Sequence, residues 1–278
     1  MKKGKKITII ILIILSSIIL CFFSYTYINA YFIQALNVQR PILLNEYPIP
    51  AVLYKTGPLK EPPTKIKDLF KKIKQQNPEY TIKYYNDEQC REFIKKNFDK
   101  KVLNAYDTLI PGAYKADLFR HCILYQNGGV YGDLSQTYLV PLNELVDRNH
   151  DVLVIVRDKL ISTFPNITKH AIQISFMAAQ PKLSIFKKAI DQIVENVKNK
   201  YYGSNPLAVT GPLLFRKVLD TEDIPYRLEL HMHQGSIKNI RTGKSVINIK
   251  LKNHNNFIKK NFKNAYYTAW YTRNIYKN

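Results

Sequence analysis

Two short stretches of this chain place charged side chains where they could converge on one ligand. In the first, Asp117 and Arg120 stand three residues apart within Lys115 to Gln126, where Leu118, Phe119, Cys122, Ile123 and Tyr125 mark the buried surface of a helix. Residues at that spacing share a helix face and can pair or hold a common partner. The second stretch is Gly128-Gly129-Val130-Tyr131-Gly132-Asp133-Leu134-Ser135. Asn127-Gly128-Gly129 reads as a helix stop and Val130-Tyr131 as the start of a buried strand, so Asp133 falls at a strand end. A carboxylate there has reach with little backbone freedom, and hard divalent cations take oxygen ligands of that kind. Alone, the Asp117/Arg120 spacing fits an ordinary helix-surface ion pair equally well, which would contribute little. Other chemistries lack their residues. The chain has no HExxH pair, no GxxxxGK[ST] loop and no GxSxG elbow, which disfavours a metalloprotease, a P-loop NTPase and an α/β-hydrolase.

Ala116-Asp117-Leu118-Phe119-Arg120, then Leu124 to Tyr131, then Asp133 form an ordered set that resembles glycosyltransferase family 32. These are DxD-containing, GT-A-type transferases that include membrane-bound mannosyl- and galactosyltransferases. Further pieces follow in the family's order: Pro50 to Gly57 at its first nucleotide-contacting strand, Ile174 to Pro181 at an acceptor-side strand, Thr210-Gly211-Pro212 at a TGP turn, and Ala269-Trp270 near the C-terminus. The resemblance implies a retaining transfer of a hexose from a UDP- or GDP-sugar to a hydroxyl of a glycan or glycolipid. It places the nucleotide sugar against Lys55, Thr56, Asp117, Arg120, Asp133 and Ser135, with Asp133 as the catalytic carboxylate and the ligand of a divalent metal, Mn²⁺ or Mg²⁺. Such a transfer must neutralise a departing diphosphate, by a metal held on carboxylates or by cations in its place.

One position departs from the family. Ser135 stands where the second acid of the DxD is expected, and a hydroxyl is a poorer ligand for a hard cation than a carboxylate. No histidine adjoins Trp270 to complete a metal site, and His254 is the nearest. Three readings follow, in this order: Asp133 holds the metal with water and diphosphate oxygens, lysines and Arg120 replace the metal, or the chain is an inactive relative that binds a glycan or serves as a scaffold. Asp158, His170 and Gln173 fall in predicted acceptor-side loops and are candidate acceptor contacts.

The elements that would position these groups alternate. Ala51-Val52-Leu53-Tyr54 reads as a first buried strand, and Ile66, Leu69, Phe70 and Ile73 recur at helical spacing. Tyr80 to Tyr85 alternates as a strand, Asn86-Asp87 caps a helix carrying Cys90, Phe93 and Ile94, and a further helix is expected from Val102 to Leu109. Val152 to Val156 and Ile172 to Ala179 are continuous apolar runs suited to strands covered on both faces, and Leu183 to Val197 is amphipathic. The last third is less regular, with a hairpin at Thr242-Gly243-Lys244 and a surface stretch from Lys250 to Lys263. The expected fold class is α/β: a GT-A-like open twisted sheet flanked by helices, one globular domain over residues 49–278 with its ligand beyond the carboxyl ends of the strands.

Ahead of that domain, residues 7–28 are apolar for roughly 20 residues, the length needed to cross a bilayer. Lys2, Lys3, Lys5 and Lys6 precede the run, which predicts a cytosolic tail over 1–6, a signal anchor, a stem over 29–48 and a lumenal domain. That is a single-pass type II membrane protein of the Golgi, the endoplasmic reticulum or a virus-related membrane. A cleaved signal peptide is the alternative, although its apolar core would be shorter. The net charge of +21 allows an anionic partner, and with no other supporting feature no nucleic acid is expected. Cys90 and Cys122 form no framework and could make at most one bridge, and Asn166-Ile167-Thr168 is a glycosylation sequon.

Overall fold

A computed structural model describes residues 48–158, 171–249 and 266–277. The apolar run at 7–28, nearly all of the stem, the sequon, His170, His254 and the lysine-rich stretch lie outside the described residues. No described helix is long and apolar enough to cross a membrane.

The described residues form one nine-stranded mixed sheet. Its strands are β1 (Val52–Thr56), β2 (Thr81–Tyr85), β3 (Gly129–Gly132), β4 (Thr137–Tyr138), β5 (Leu153–Asp158), β6 (Ala171–Ala179), β7 (Arg227–His233), β8 (Ser236–Asn239) and β9 (Ser245–Asn248), in the order β2-β1-β3-β6-β5-β7-β8-β9-β4. β1 runs parallel to β2 and β3, β6 is antiparallel to both β3 and β5, and β5 is parallel to β7. One edge of the sheet therefore collects the carboxyl ends of β1, β3, β5 and β7 with the amino half of β6. Thr56, Asp133, Asp158 and Gln173 all arrive there. Beyond β7 the chain turns back through β8 and β9, and β4 closes onto β9.

The helices are α1 (Thr64–Gln76), α2 (Asp87–Asn97), α3 (Lys100–Thr108), α4 (Gly112–Asn127), α5 (Leu142–Leu145), α6 (Ser184–Lys198), α7 (Pro212–Leu219) and α8 (Tyr266–Tyr271). α1 buries Ile66, Leu69 and Ile73 as its spacing predicts. α2 starts with a capping box, in which the Asn86 side chain accepts from the Gln89 amide at 2.8 Å and the Asn86 amide donates to the Gln89 side chain at 3.0 Å. The sheet carries an apolar cluster on each side. Leu153 and Ile155 face the cluster built with α2, α3, α4, α6 and α7, whereas Val154 and Val156 face the one built with α1 and α5. Burial on both faces explains why β5 reads as an unbroken apolar run.

Three expectations change. α4 begins at Gly112, directly after Pro111, and is buried nearly all round, with Asp117, Arg120 and His121 inside. The last third is more regular than expected: besides the hairpin at Gly243, a tight turn at Gln234-Gly235 joins β7 to β8, both residues having positive φ (42° and 83°). Cys90 and Cys122 are both free and buried, so the one possible bridge does not form.

His121 is fully buried, stacks on Phe215 at 5.2 Å, and has both ring nitrogens without a hydrogen-bond partner. Burial, helped by the nearby Arg120 charge, lowers its pKa to about 3. Because the folded-state value lies below the unfolded one, the unfolded chain binds the proton first as pH falls. The stability tied to neutral His121 is complete above the unfolded pKa of about 6.5 and is lost progressively toward pH 3. His121→Phe should remove that dependence, so that wild type loses about 1.4 kcal/mol per pH unit relative to the variant across this window, measured by urea unfolding at pH 7 and pH 5.

Candidate active site

Asp133 is the first residue past β3, and its backbone is held from three directions. Its amide donates to the Ser175 carbonyl at 2.9 Å, and its carbonyl accepts from the Gln136 amide at 3.0 Å and from Lys55 Nζ at 3.0 Å. The side chain is 40% exposed, at the open edge of the sheet. Protein crowds that carboxyl on every other side, and this enclosure raises its pKa, while Arg120, Lys55 and the Tyr131 hydroxyl pull it back down.

Behind Asp133 sits a buried ionic group from α4. Arg120 lies 3.4 Å from the Asp133 carboxylate and 3.2 Å from Asp117, with the Arg120 and Asp117 side chains each only 7% exposed. Its guanidinium also lies over the Tyr131 ring at 4.6 Å, donates to the Ile174 carbonyl, and reaches its own helix at Ala116 O. Asp117 accepts from the Thr210 hydroxyl at 2.8 Å. The surface ion pair considered from spacing alone is therefore not what forms. The helix turns these two residues inward because β3 and β6 supply an aromatic face and a carbonyl for the guanidinium.

On the opposite face of β3 lies a second cation. Lys55 is fully enclosed, and its Nζ donates to the Tyr138 hydroxyl at 3.2 Å as well as to Asp133 O. Burial lowers its pKa to about 7, with the Asp133 charge acting in the other direction. Lys55 thus meets the open edge through the Asp133 backbone. Gly132 makes room for this arrangement, since a Cβ there would stand 2.2 Å from Tyr138 Oη and 2.9 Å from Gln136 Oε1. Gly132→Ala should force Tyr138 and Lys55 aside at a cost of about 1–3 kcal/mol, seen as a lower unfolding midpoint in urea.

The remaining sequence-derived residues are spread along the edge. Thr56 Oγ1 lies 3.0 Å from the Tyr131 hydroxyl. Ser135 donates to the Ile249 carbonyl just past β9, at 3.0 Å. Gln173 is 3.5 Å from the buried Asp158 carboxylate across β6 and β5. Among the described residues no group of three or more His, Cys, Asp or Glu side chains could hold a metal. Hard cations such as Mg²⁺ commonly bind through one or two carboxylates plus substrate phosphates and water, and the exposed Asp133 carboxylate fits that use. Thr210, Tyr138 and Gln136 were missed as site residues. Their partners lie far along the chain or across a turn, and although the Thr210-Gly211-Pro212 turn marks Thr210 in the sequence, no local spacing shows that its hydroxyl reaches Asp117.

Comparison with known proteins bears on this cluster. Residues 63–152 match the family described as the glycosyltransferase sugar-binding region containing DXD motif. Residues 63–152 are thus similar to a glycosyltransferase sugar-binding region. That region includes Asp117, Arg120, Asp133 and Ser135 and leaves out Lys55, Thr56 and Thr210. No Asp-X-Asp triplet occurs anywhere in the sequence, so the matched residues contain no complete DXD. The initiation-specific alpha-1,6-mannosyltransferase of Candida albicans is 33% identical over 79 residues, 28% of this chain and 20% of the relative. Inositol phosphoceramide mannosyltransferase 3 of Schizosaccharomyces pombe is 34% identical over 86 residues, 31% of this chain and 24% of the relative. The matched stretches thus span about a fifth to a quarter of these relatives. Among solved structures, the PaToxG glycosyltransferase superposes with a TM-score of 0.46 and 15% identity, over 73% of this chain and 79% of that one.

Proposed function

We propose that the chain transfers a hexose from a nucleotide sugar to a hydroxyl of a glycan or glycolipid, on a GT-A-like sheet. The observation that carries this reading is the partly exposed Asp133 carboxylate at the strand-end edge, backed by buried Arg120 inside the sugar-binding region. Both relatives are named as mannosyltransferases, which makes a mannosyl nucleotide the first donor to test. One is named for an inositol phosphoceramide, which supports a glycolipid acceptor. The apolar run at 7–28 supports a membrane-anchored, lumenal domain.

In this mechanism Asp133 orients the diphosphate end of the donor from a backbone pinned by Lys55, Gln136 and Ser175. Arg120 fixes the Asp133 carboxylate and supplies positive charge behind the leaving group, where a preorganised charge lowers the barrier most. A divalent cation bound at Asp133 would neutralise the departing diphosphate. Thr56 and Ser135 flank the edge as donor contacts, and Asp158 and Gln173 mark the acceptor side. Retention of configuration follows the family resemblance. The test is nucleoside diphosphate release from a panel of UDP- and GDP-hexoses by the full-length chain, with and without Mn²⁺. A glycan-binding, inactive relative is the second reading, favoured by Ser135, whose hydroxyl is given to Ile249. It predicts glycan binding with no release from any donor.

A further inference from the structure

Thr210 lies outside the sugar-binding region and 93 residues from Asp117, yet its hydroxyl donates to Asp117 Oδ2 at 2.8 Å. It is fully buried in the turn that precedes α7. That turn is itself fastened, because buried Asn196 of α6 donates to the Val209 carbonyl at 2.8 Å and accepts from Gln192 at 3.0 Å. Asp117 then presents its other oxygen to Arg120, 3.2 Å away, and Arg120 stands 3.4 Å from Asp133. We infer that Thr210 is a positioning residue for the Asp133 site, acting through Asp117 and Arg120.

The physical reason is competition between two carboxylates for one guanidinium. With Oδ2 held by the Thr210 hydroxyl, Asp117 is fixed in rotation, its Oδ1 3.2 Å from Arg120. Without that bond the Asp117 carboxylate can turn both oxygens toward the guanidinium, a geometry that a planar fork prefers. Arg120 would then be drawn back from Asp133. The Ile174 carbonyl and the Tyr131 ring limit the movement, so the expected change is one of alignment.

This inference rests on the transferase reading, and the experiment separates the two. Donor turnover is measured for full-length wild type, Thr210→Val, which keeps the shape and loses the hydroxyl, and Thr210→Ser, which keeps the hydroxyl. Thr210→Val should lower kcat by about ten- to a hundredfold, the scale expected of a small misplacement at a reacting site, while Thr210→Ser restores most of the rate. In an Asp117→Asn background Thr210→Val should cause no further loss. Equal rates in all three proteins, equal losses in the Val and Ser variants, or an unchanged loss in the Asp117→Asn background would each overturn the inference. If wild type turns over no donor, the function reading fails and thermal unfolding decides this one. Melting shifts for Thr210→Val and Arg120→Met, which meet only through Asp117 in this chain of contacts, should then be non-additive, and additive shifts would overturn it.

Discussion

Asp133→Asn is expected to lower sugar transfer by about a hundred- to a thousandfold while leaving the protein folded, the scale on which removal of one preorganised electrostatic group acts. Asparagine keeps the shape of the side chain. The contacts that set the turn belong to the Asp133 backbone, with Ser175, Gln136 and Lys55, and survive the change. What disappears is the charge at the open edge and its pull on Arg120. Since enclosure already disfavours the ionised carboxyl, neutralising it should cost little stability, and the melting temperature should stay close to that of wild type. Steady-state transfer and a thermal melt on the same preparation check both halves. The same raised pKa predicts that wild-type transfer falls on acidification before an ordinary exposed aspartate would protonate, and this acid limb should be absent from the variant's residual rate.

Arg120→Met should have the largest effect on stability. The substitution retains much of the aliphatic volume and removes the charge between Asp117 and Asp133. Asp117, with its side chain 7% exposed, loses its ionic partner, and breaking a buried pair from one side typically costs about 3–5 kcal/mol. A surface pair would cost about 0–1 kcal/mol. Urea unfolding distinguishes the two, and Asp117→Asn added to Arg120→Met should recover part of the loss because the stranded charge is then gone. A loss below about 1 kcal/mol would mean that the pair is solvated after all.

The elements were legible where local periodicity decides them. α1, the cap of α2, the stop at Gly128-Gly129 and the two-faced strands β5 and β6 follow from spacing and turn chemistry within a few residues. Gly128 and Gly129 both have positive φ (63° and 97°), and Gly129 also lacks room for a side chain, since a Cβ would meet Val52 O at 2.9 Å. β7 was legible and went unread: Leu228, Leu230 and Met232 alternate with polar residues, the signature of a strand covered on one face. The candidate site divides along a different line. Helical spacing brings Asp117 and Arg120 to one face, and the strand end places Asp133, but neither reveals that the pair is buried. Burial comes from Ile174, Tyr131 and Thr210, which reach it from other elements. Lys55 shows the same limit, since a lysine in a strand gives no local sign that its ammonium ends beneath the Asp133 turn.

The central claim is that the strand-end carboxylate serves a nucleotide-sugar transferase. It is tested most directly by nucleoside diphosphate release from GDP- and UDP-hexoses, comparing the full-length chain with Asp133→Asn under identical conditions. The expected result is release of one nucleoside diphosphate by wild type and its near-complete loss in the variant. Release that is equal in the two proteins, or absent from wild type with every donor, would contradict it.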